Sequence, residues 1–133
     1  MANYKCGDIV RAKLSGTGHL QTGVRFGVIV SNNIGNQKAP IYTLVPFTTR
    51  QKNLKQPTHC VFPAGEGGLP MASMLLGEQL IPINKDAVLG KVGRFDEAAM
   101  VRVATAIAMS IPVVLKAFEA KVHQTDVFRK ISS

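Results

Sequence analysis

Polar and basic side chains gather in two loop regions between apolar segments of the chain. The first region contains His19 and Gln21, and Arg25 follows it at the start of the next apolar segment. The second region, residues 48–57, has the basic sequence TTRQKNLKQP. Guanidinium, ammonium, hydroxyl and amide groups are the donors that hold phosphate oxygens. The pattern is compatible with a surface that binds a polyanion, and equally with solvated loops around a folded core.

Several familiar catalytic patterns are absent from the sequence. There is no nucleophile elbow with a Ser-His-Asp order, no GxxxxGK[ST] phosphate loop and no HExxH zinc motif. The three histidines are not closely spaced, and Cys6 and Cys60 lie outside any CxxC or Cys/His ligand pattern. We therefore expect no metal site, no cofactor and two reduced cysteines.

The balance of charge indicates the kind of partner. Sixteen Lys and Arg residues face eight Asp and Glu residues, which gives a formal net charge of +8. Such an excess favours nucleic acid or an acidic protein as the partner. The start of the chain lacks the apolar region of a signal peptide, and no apolar run approaches the ~18 residues of a membrane span. We expect a soluble, cytoplasmic protein that does not contact membranes.

The first 95 residues are predicted to be rich in β-structure. Segments in which apolar and polar residues alternate, or in which β-branched residues are frequent, are separated by glycine-rich or polar turns. We predict strands over residues 9–14, 26–30, 41–47, 58–62, 73–83 and 88–95, with a bulge at Gly77. Residues 32–40 are predicted to form a turn. Short strands without intervening helices favour a compact barrel or a strongly bent sheet.

A helix is predicted over Glu97–Ile111, because Asp96 is a good N-cap and apolar residues recur at helical spacing. The side chains expected to face the core are Met100, Val103, Ala104, Ile107 and Ile111. The rest of this helix is also nearly all apolar. We therefore expect a second copy of the chain to cover its far face, in a homodimer.

A weaker apolar stripe follows this helix. Pro112 ends the first helix or begins the next one, and a second helix is predicted over Val113–Lys130. The predicted organisation is one domain over residues 1–112 with a helical extension over residues 113–133, which packs on that domain or trails it.

Seven short segments occur in an order that resembles the MazF/PemK toxins. They are GDIVRAKL (7–14), TGVRFGVIV (22–30), SNNIGN (31–36), VPFTTR (45–50), PTH (57–59), GEQLI (77–81) and LGKVGRFDE (89–97). The resemblance implies an α+β fold, a small SH3-like antiparallel β-barrel of the CcdB/PemK type with C-terminal helices, and a homodimer. It also implies an endoribonuclease toxin that cleaves single-stranded RNA at selected sequences and is restrained by a cognate antitoxin.

The resemblance further implies which residues act. The family's catalytic Arg, in a G-x-R-P segment, corresponds to Arg25, and its catalytic Thr, at the end of the third strand, corresponds to Thr48. Phe26 stands where the family has proline. Leu20 stands where the family has an acidic residue before Gln21, which argues against a loop carboxylate as acid or base. The general base stays open, and His19 is one candidate because its pKa class lies near neutrality.

The chemistry of RNA cleavage without a metal fits these residue types. The 2′-OH is the nucleophile, and the products are a 2′,3′-cyclic phosphate and a 5′-OH. Negative charge that builds up on the phosphoryl oxygens matches the planar fork of a guanidinium. We predict further contacts with RNA from polar residues of the loops and strand ends: His19, Gln21, Thr49, Arg50, Gln51, Lys52, Lys55, His59 and Gln79.

Two alternatives stay open at this point. A gyrase-poisoning toxin of the CcdB type would share the fold class and act by binding a protein, although it would not need Arg25 and Thr48. A non-catalytic RNA-binding barrel would use the same basic loops, but such proteins favour stacking aromatics. Only 6% of the residues are aromatic, and Phe26, Tyr42 and Phe47 fall in predicted strands.

Overall fold

The structure, a computed structural model, describes residues 3–18, 20–50, 55–117 and 119–121. The strands in these ranges are β1 (Asp8–Ser15), β2 (Thr22–Ile29), β3 (Ile41–Thr48), β4 (His59–Phe62), β5 (Ser73–Leu76), β6 (Ile81–Asn84) and β7 (Val88–Arg94). The helices are α1 (Asn33–Lys38) and α2 (Glu97–Ser110), followed by helical residues at 112–117 and 119–121. Short 3₁₀ turns lie at Glu66–Gly68 and Lys85–Ala87.

The strands form one antiparallel sheet. Its order is β4-β5-β3-β2-β1-β7, and β6 pairs with a second part of β3. The terminal strands β4 and β7 do not pair with each other within the described residues, so the sheet does not close completely.

Both faces of the sheet carry a hydrophobic core, because successive side chains of a strand point to opposite faces. The core beneath α2 takes one set of alternate residues, among them Ile9, Val28 and Val45. The second core takes their neighbours in sequence, among them Val10, Ile29 and Leu44. These central strands are buried on both sides, and their ends extend beyond the cores into solvent.

The helix α2 begins where the sequence predicts. The Asp96 carboxylate accepts a hydrogen bond from the backbone N–H of Ala99 at 2.8 Å and so caps the helix. The prediction that Ala104 faces the core is wrong, because Ala104 is exposed and the buried residues are Ala99, Val103 and Ala106. The helix lies against Gly77, where an added Cβ would come within 2.9 Å of Ala106. Small residues on both sides allow this close approach.

The strand predicted over residues 73–83 is two strands, so the prediction of one continuous strand is wrong. Leu44 lies opposite Ile81, and an unbroken ladder would then place residue 78 opposite Phe47. Leu75 is there instead. Three residues are therefore left out of the ladder in the turn that contains Gly77, a larger interruption than the predicted bulge.

Two other boundaries differ from the prediction. Residues 32–40, predicted as a turn, contain α1, whose N-cap Asn32 accepts a hydrogen bond from the Gly35 N–H at 2.8 Å. A helix of six residues is too short to show an apolar period. The strand β2 starts at Thr22 instead of Phe26, because residues 22–25 pair with β1 although their side chains are exposed.

The predicted second C-terminal helix is supported only in part. Helical residues begin at Pro112, and the section from residue 122 to Lys130 lies outside the described residues. The proposed domain boundary at residue 112 stays a prediction. None of the described helices is by itself long and apolar enough to cross a membrane; only α2 and the segment after it reach that length together, across a bend.

Candidate active site

The strands β2 and β3 separate where the two predicted catalytic residues lie. Their ladder ends at the pair Gly27–Pro46. Two further steps of the same register would place Arg25 opposite Thr48, on one face of the sheet. The end of β3 stays paired with β5 on its other edge, and Arg25 stays paired with Ala12 of β1. The divergence of the strands leaves an opening between the two side chains.

This opening is a cavity of about 490 Å³, within the usual range of small-ligand sites. The residues that line it are Gln21, Val24, Arg25, Phe26, Phe47, Thr48, Thr49, Arg50 and Ser73. The polar groups in this set are guanidinium, hydroxyl and amide groups, and no carboxylate lines the cavity in the described part of the chain. Such a lining favours an anionic ligand.

Arg25 is exposed and partly held by hydrogen bonds. Its Nε donates to Oε1 of Gln21 at 3.1 Å, and its Nη1 donates to the backbone oxygen of Val24 at 3.4 Å. Within the described ranges no carboxylate forms an ion pair with Arg25. A guanidinium has more N–H donors than these two bonds use. Its charge and its remaining donors are therefore available to a phosphate.

Thr48 is half-buried at the last position of β3. Its Oγ1 accepts a hydrogen bond from the backbone N–H of Arg50 at 3.2 Å. A hydroxyl that accepts in this way keeps its own hydrogen for donation. Thr48 can therefore donate into the cavity, while the same bond shapes the start of the loop that carries Thr49 and Arg50.

The cysteines stand apart from this site. Cys6 and Cys60 are free thiols of intermediate exposure. Burial raises the pKa of the Cys6 thiol, against a smaller lowering effect of the Arg94 guanidinium. A protonated thiol is a poor nucleophile. In the described ranges no group of three or more His, Cys, Asp or Glu side chains is arranged to hold a metal ion.

The sequence matches the family described as "PemK-like, MazF-like toxin of type II toxin-antitoxin system" over residues 5–111. The chain belongs to this toxin family. Endoribonuclease EndoA of Bacillus subtilis is 32% identical over 111 residues, which cover 83% of this chain and 96% of EndoA. Endoribonuclease MazF of Staphylococcus saprophyticus is 31% identical over 106 residues, 79% of this chain and 88% of that protein. The predicted resemblance is confirmed.

Solved structures share the fold of this toxin. MazF from Deinococcus radiodurans has a TM-score of 0.70 at 17% identity and covers 81% of this chain and 96% of its own. An endoribonuclease from Mycobacterial species has a TM-score of 0.68 at 20% identity, with 84% and 94% covered. These likenesses confirm the predicted fold class, a small antiparallel barrel-like sheet with C-terminal helices.

The toxin brings five of the predicted site residues to one cavity. They are Gln21, Arg25, Thr48, Thr49 and Arg50. Gln79 is connected to this set, because its Oε1 accepts a hydrogen bond from the backbone N–H of Gln21 at 3.2 Å. The roles of these residues in catalysis and RNA binding stay predictions.

His59 and Lys55 lie outside the lining of the cavity. The His59 side chain is only 8% exposed, and its Nε2 lies 2.9 Å from Oε1 of Glu78, within hydrogen-bond distance. Lys55 is exposed on the loop before β4. Their predicted contacts with RNA stay predictions. The remaining predicted contacts, His19, Gln51 and Lys52, lie outside the described residues.

Four lining residues were not predicted: Val24, Phe26, Phe47 and Ser73. The first three are sequence neighbours of Arg25 or Thr48, so proximity in the chain was the available signal. Ser73 reaches the cavity because β5 pairs with the end of β3, with Met74 opposite Thr48. The sequence carries no signal for that pairing.

Proposed function

We propose that this toxin cleaves single-stranded RNA at selected sequences without a metal ion, and leaves 2′,3′-cyclic phosphate and 5′-OH ends. The observation that carries the proposal is the position of Arg25 and Thr48 on the walls of one cavity lined by hydrogen-bond donors. The endoribonuclease class follows from the family and its named relatives. That class favours cleavage over gyrase poisoning or simple RNA binding.

In the proposed reaction the 2′-oxygen attacks the adjacent phosphorus, and the bond from phosphorus to the 5′-oxygen breaks. The 2′-OH loses its proton to a base, and the departing 5′-oxygen gains one. Arg25 stabilises the charge that develops on the phosphoryl oxygens, and Thr48 donates to one of them or orients the 2′-OH. A guanidinium stays protonated in proteins, so Arg25 acts as an electrostatic donor and not as a base.

The surroundings of the pair would hold the flanking RNA. Arg50 and Lys55 are exposed cations, suited to backbone phosphates that position the strand without reading its sequence. Thr49, Gln21 and Gln79 offer hydroxyl and amide groups suited to base edges. We propose that His59, which lies beside Glu78, also contacts the RNA. From the sequence alone, we also propose that His19, Gln51 and Lys52 contact the RNA.

We further propose that the toxin acts in the cytoplasm as a homodimer and is neutralised by a cognate antitoxin. The family is defined by type II toxin-antitoxin systems, which supports a protein inhibitor. The formal charge of +8 favours an acidic partner segment that competes with RNA for the basic cavity.

Mapping the ends produced from a long synthetic RNA tests this proposal. We expect cuts at a recurrent short sequence, new 5′-OH ends, cyclic phosphate at the other end, and an unchanged rate in excess EDTA. Arg25→Ala serves as the inactive control, and a gyrase supercoiling assay run in parallel tests the alternative. Loss of cleavage in EDTA with recovery in divalent ions would overturn the metal-free mechanism. Supercoiling inhibition without RNA cleavage would overturn the function.

A further inference from the structure

Two glutamine side chains connect separate segments of the chain to Arg25. The amide Oε1 of Gln79 accepts a hydrogen bond from the backbone N–H of Gln21 at 3.2 Å, across 58 positions of sequence. The amide Oε1 of Gln21 accepts a hydrogen bond from Nε of Arg25 at 3.1 Å. The connection therefore runs from the turn after β5, through the residue that precedes β2, to the guanidinium.

The loop between β1 and β2 ends at Gln21, next to the last pair of their ladder, Ser15 with Thr22. Thr17, Gly18 and Leu20 are exposed, and Gly18 adopts a positive φ of 63°, a conformation that favours glycine. These three residues bury little surface, and the hydrogen bond to Gln79 is a further attachment at the end of the loop. The backbone of Gln79 is itself held in the turn after β5, where its N–H donates to the oxygen of Leu76 at 2.9 Å.

The bond from Gln21 also determines how Arg25 presents its donors. Nε donates to Gln21, and Nη1 lies near the backbone oxygen of Val24. These two contacts restrict the rotation of the guanidinium plane and leave both N–H groups of Nη2 and one of Nη1 for a ligand. An exposed arginine without such a bond would have to be ordered during the reaction, which raises the barrier.

We infer that Gln21 is a positioning residue for Arg25, and that Gln79 holds Gln21 in place by accepting its backbone N–H. The inference rests on the proposed function, because it assigns the consequence to the rate of RNA cleavage. Gln21 acts on the chemical step through Arg25, in addition to any contact with bases. Its loss lowers kcat and leaves KM nearly unchanged.

The kinetic test uses single and double variants. Gln21→Ala and Gln79→Ala should each lower kcat by about two- to twelvefold, the range expected when one rotamer-rich side chain must be ordered in the transition state. In an Arg25→Ala background, Gln21→Ala should cause no further loss, because its effect passes through the guanidinium. Gln79→Glu keeps an acceptor for the Gln21 N–H and should recover most of kcat. Gln37→Ala, an exposed glutamine on α1, is the matched control.

A spectroscopic readout separates this inference from the proposed function. In ¹⁵N relaxation, the Arg25 Nε–H of the wild type should be ordered, and its order parameter should fall below about 0.6 in Gln21→Ala. Three results would overturn the positioning role. They are a wild-type kcat in Gln21→Ala, an equal loss of kcat from this change in the wild-type and Arg25→Ala backgrounds, and an unchanged Nε order parameter. Full cleavage by Arg25→Ala would instead overturn the proposed function, and the order parameter would still decide whether Gln21 holds Arg25.

Discussion

Replacing Arg25 gives the sharpest test of the proposed chemistry. Arg25→Ala removes a charged donor whose remaining N–H groups are available in the cavity, and we expect cleavage to slow by about 10²–10³, as when one preorganised transition-state donor is lost. The side chain is exposed, so its removal should change the free energy of unfolding by no more than about 0.5 kcal/mol. A large loss of rate at a nearly constant melting temperature is therefore the expected result.

Arg25→Lys separates charge from geometry. A lysine keeps the positive charge, but its compact ammonium lacks the planar fork that directs two parallel N–H groups at a phosphate while Nε holds Gln21. We expect this variant to be nearly as slow as Arg25→Ala. Single-turnover cleavage of a labelled RNA, measured beside thermal unfolding, gives both quantities, and Lys38→Ala on α1 controls for the loss of one charge. A lysine variant that cuts at the wild-type rate would refute the two-pronged mechanism, and an unfolded alanine variant would indicate a structural role.

The remaining predictions concern binding, assembly and stability. Lys55→Ala should lower the log-log salt slope of RNA binding by ~0.7, the contribution of one neutralised phosphate in a single strand, without moving the cleavage site; a moved site would mean that Lys55 reads bases. Light scattering at micromolar concentration should show a homodimer, because α2 leaves Val101 60% exposed and Met109 41% exposed, and a stable monomer would contradict this. Gly93→Ala should destabilise the fold by about 1–3 kcal/mol, because its Cβ would overlap the Gly67 carbonyl oxygen. Gly90→Ala on the same strand meets nothing within 4 Å and should be nearly neutral in denaturant unfolding.

The strands and the capped helix α2 could be predicted because their signals are local. Alternation along residues 9–14 and the N-cap Asp96 each report on a few neighbouring residues, and β1 and α2 begin close to where these signals place them. The elements that were wrong depend on distant contacts. Pairing with β1 extends β2 to Thr22, and the ladder with β3 divides residues 73–84 into two strands.

The distinction between local signals and distant contacts also explains which site residues could be predicted. Arg25, Thr48 and Arg50 lie in segments that resemble the family, and their residue types suit phosphate chemistry. The hydrogen bond between Gln21 and Gln79 joins residues 58 positions apart, and no local sequence pattern predicts it. Ser73 enters the cavity through the pairing of β5 with β3, which the sequence does not reveal.

The position of the cavity follows from the pair at which β2 and β3 stop pairing. That last pair is Gly27 with Pro46, and Gly27 carries no side chain. An added Cβ on Gly27 would come within 2.6 Å of the Leu44 side chain, so this position keeps β2 close to β3 up to its last paired residue. Beyond it, the end of β3 pairs with β5, while Arg25 stays paired with β1. Arg25 and Thr48, the proposed catalytic residues, would lie side by side in a continuous ladder; here both line the cavity that opens where the strands part.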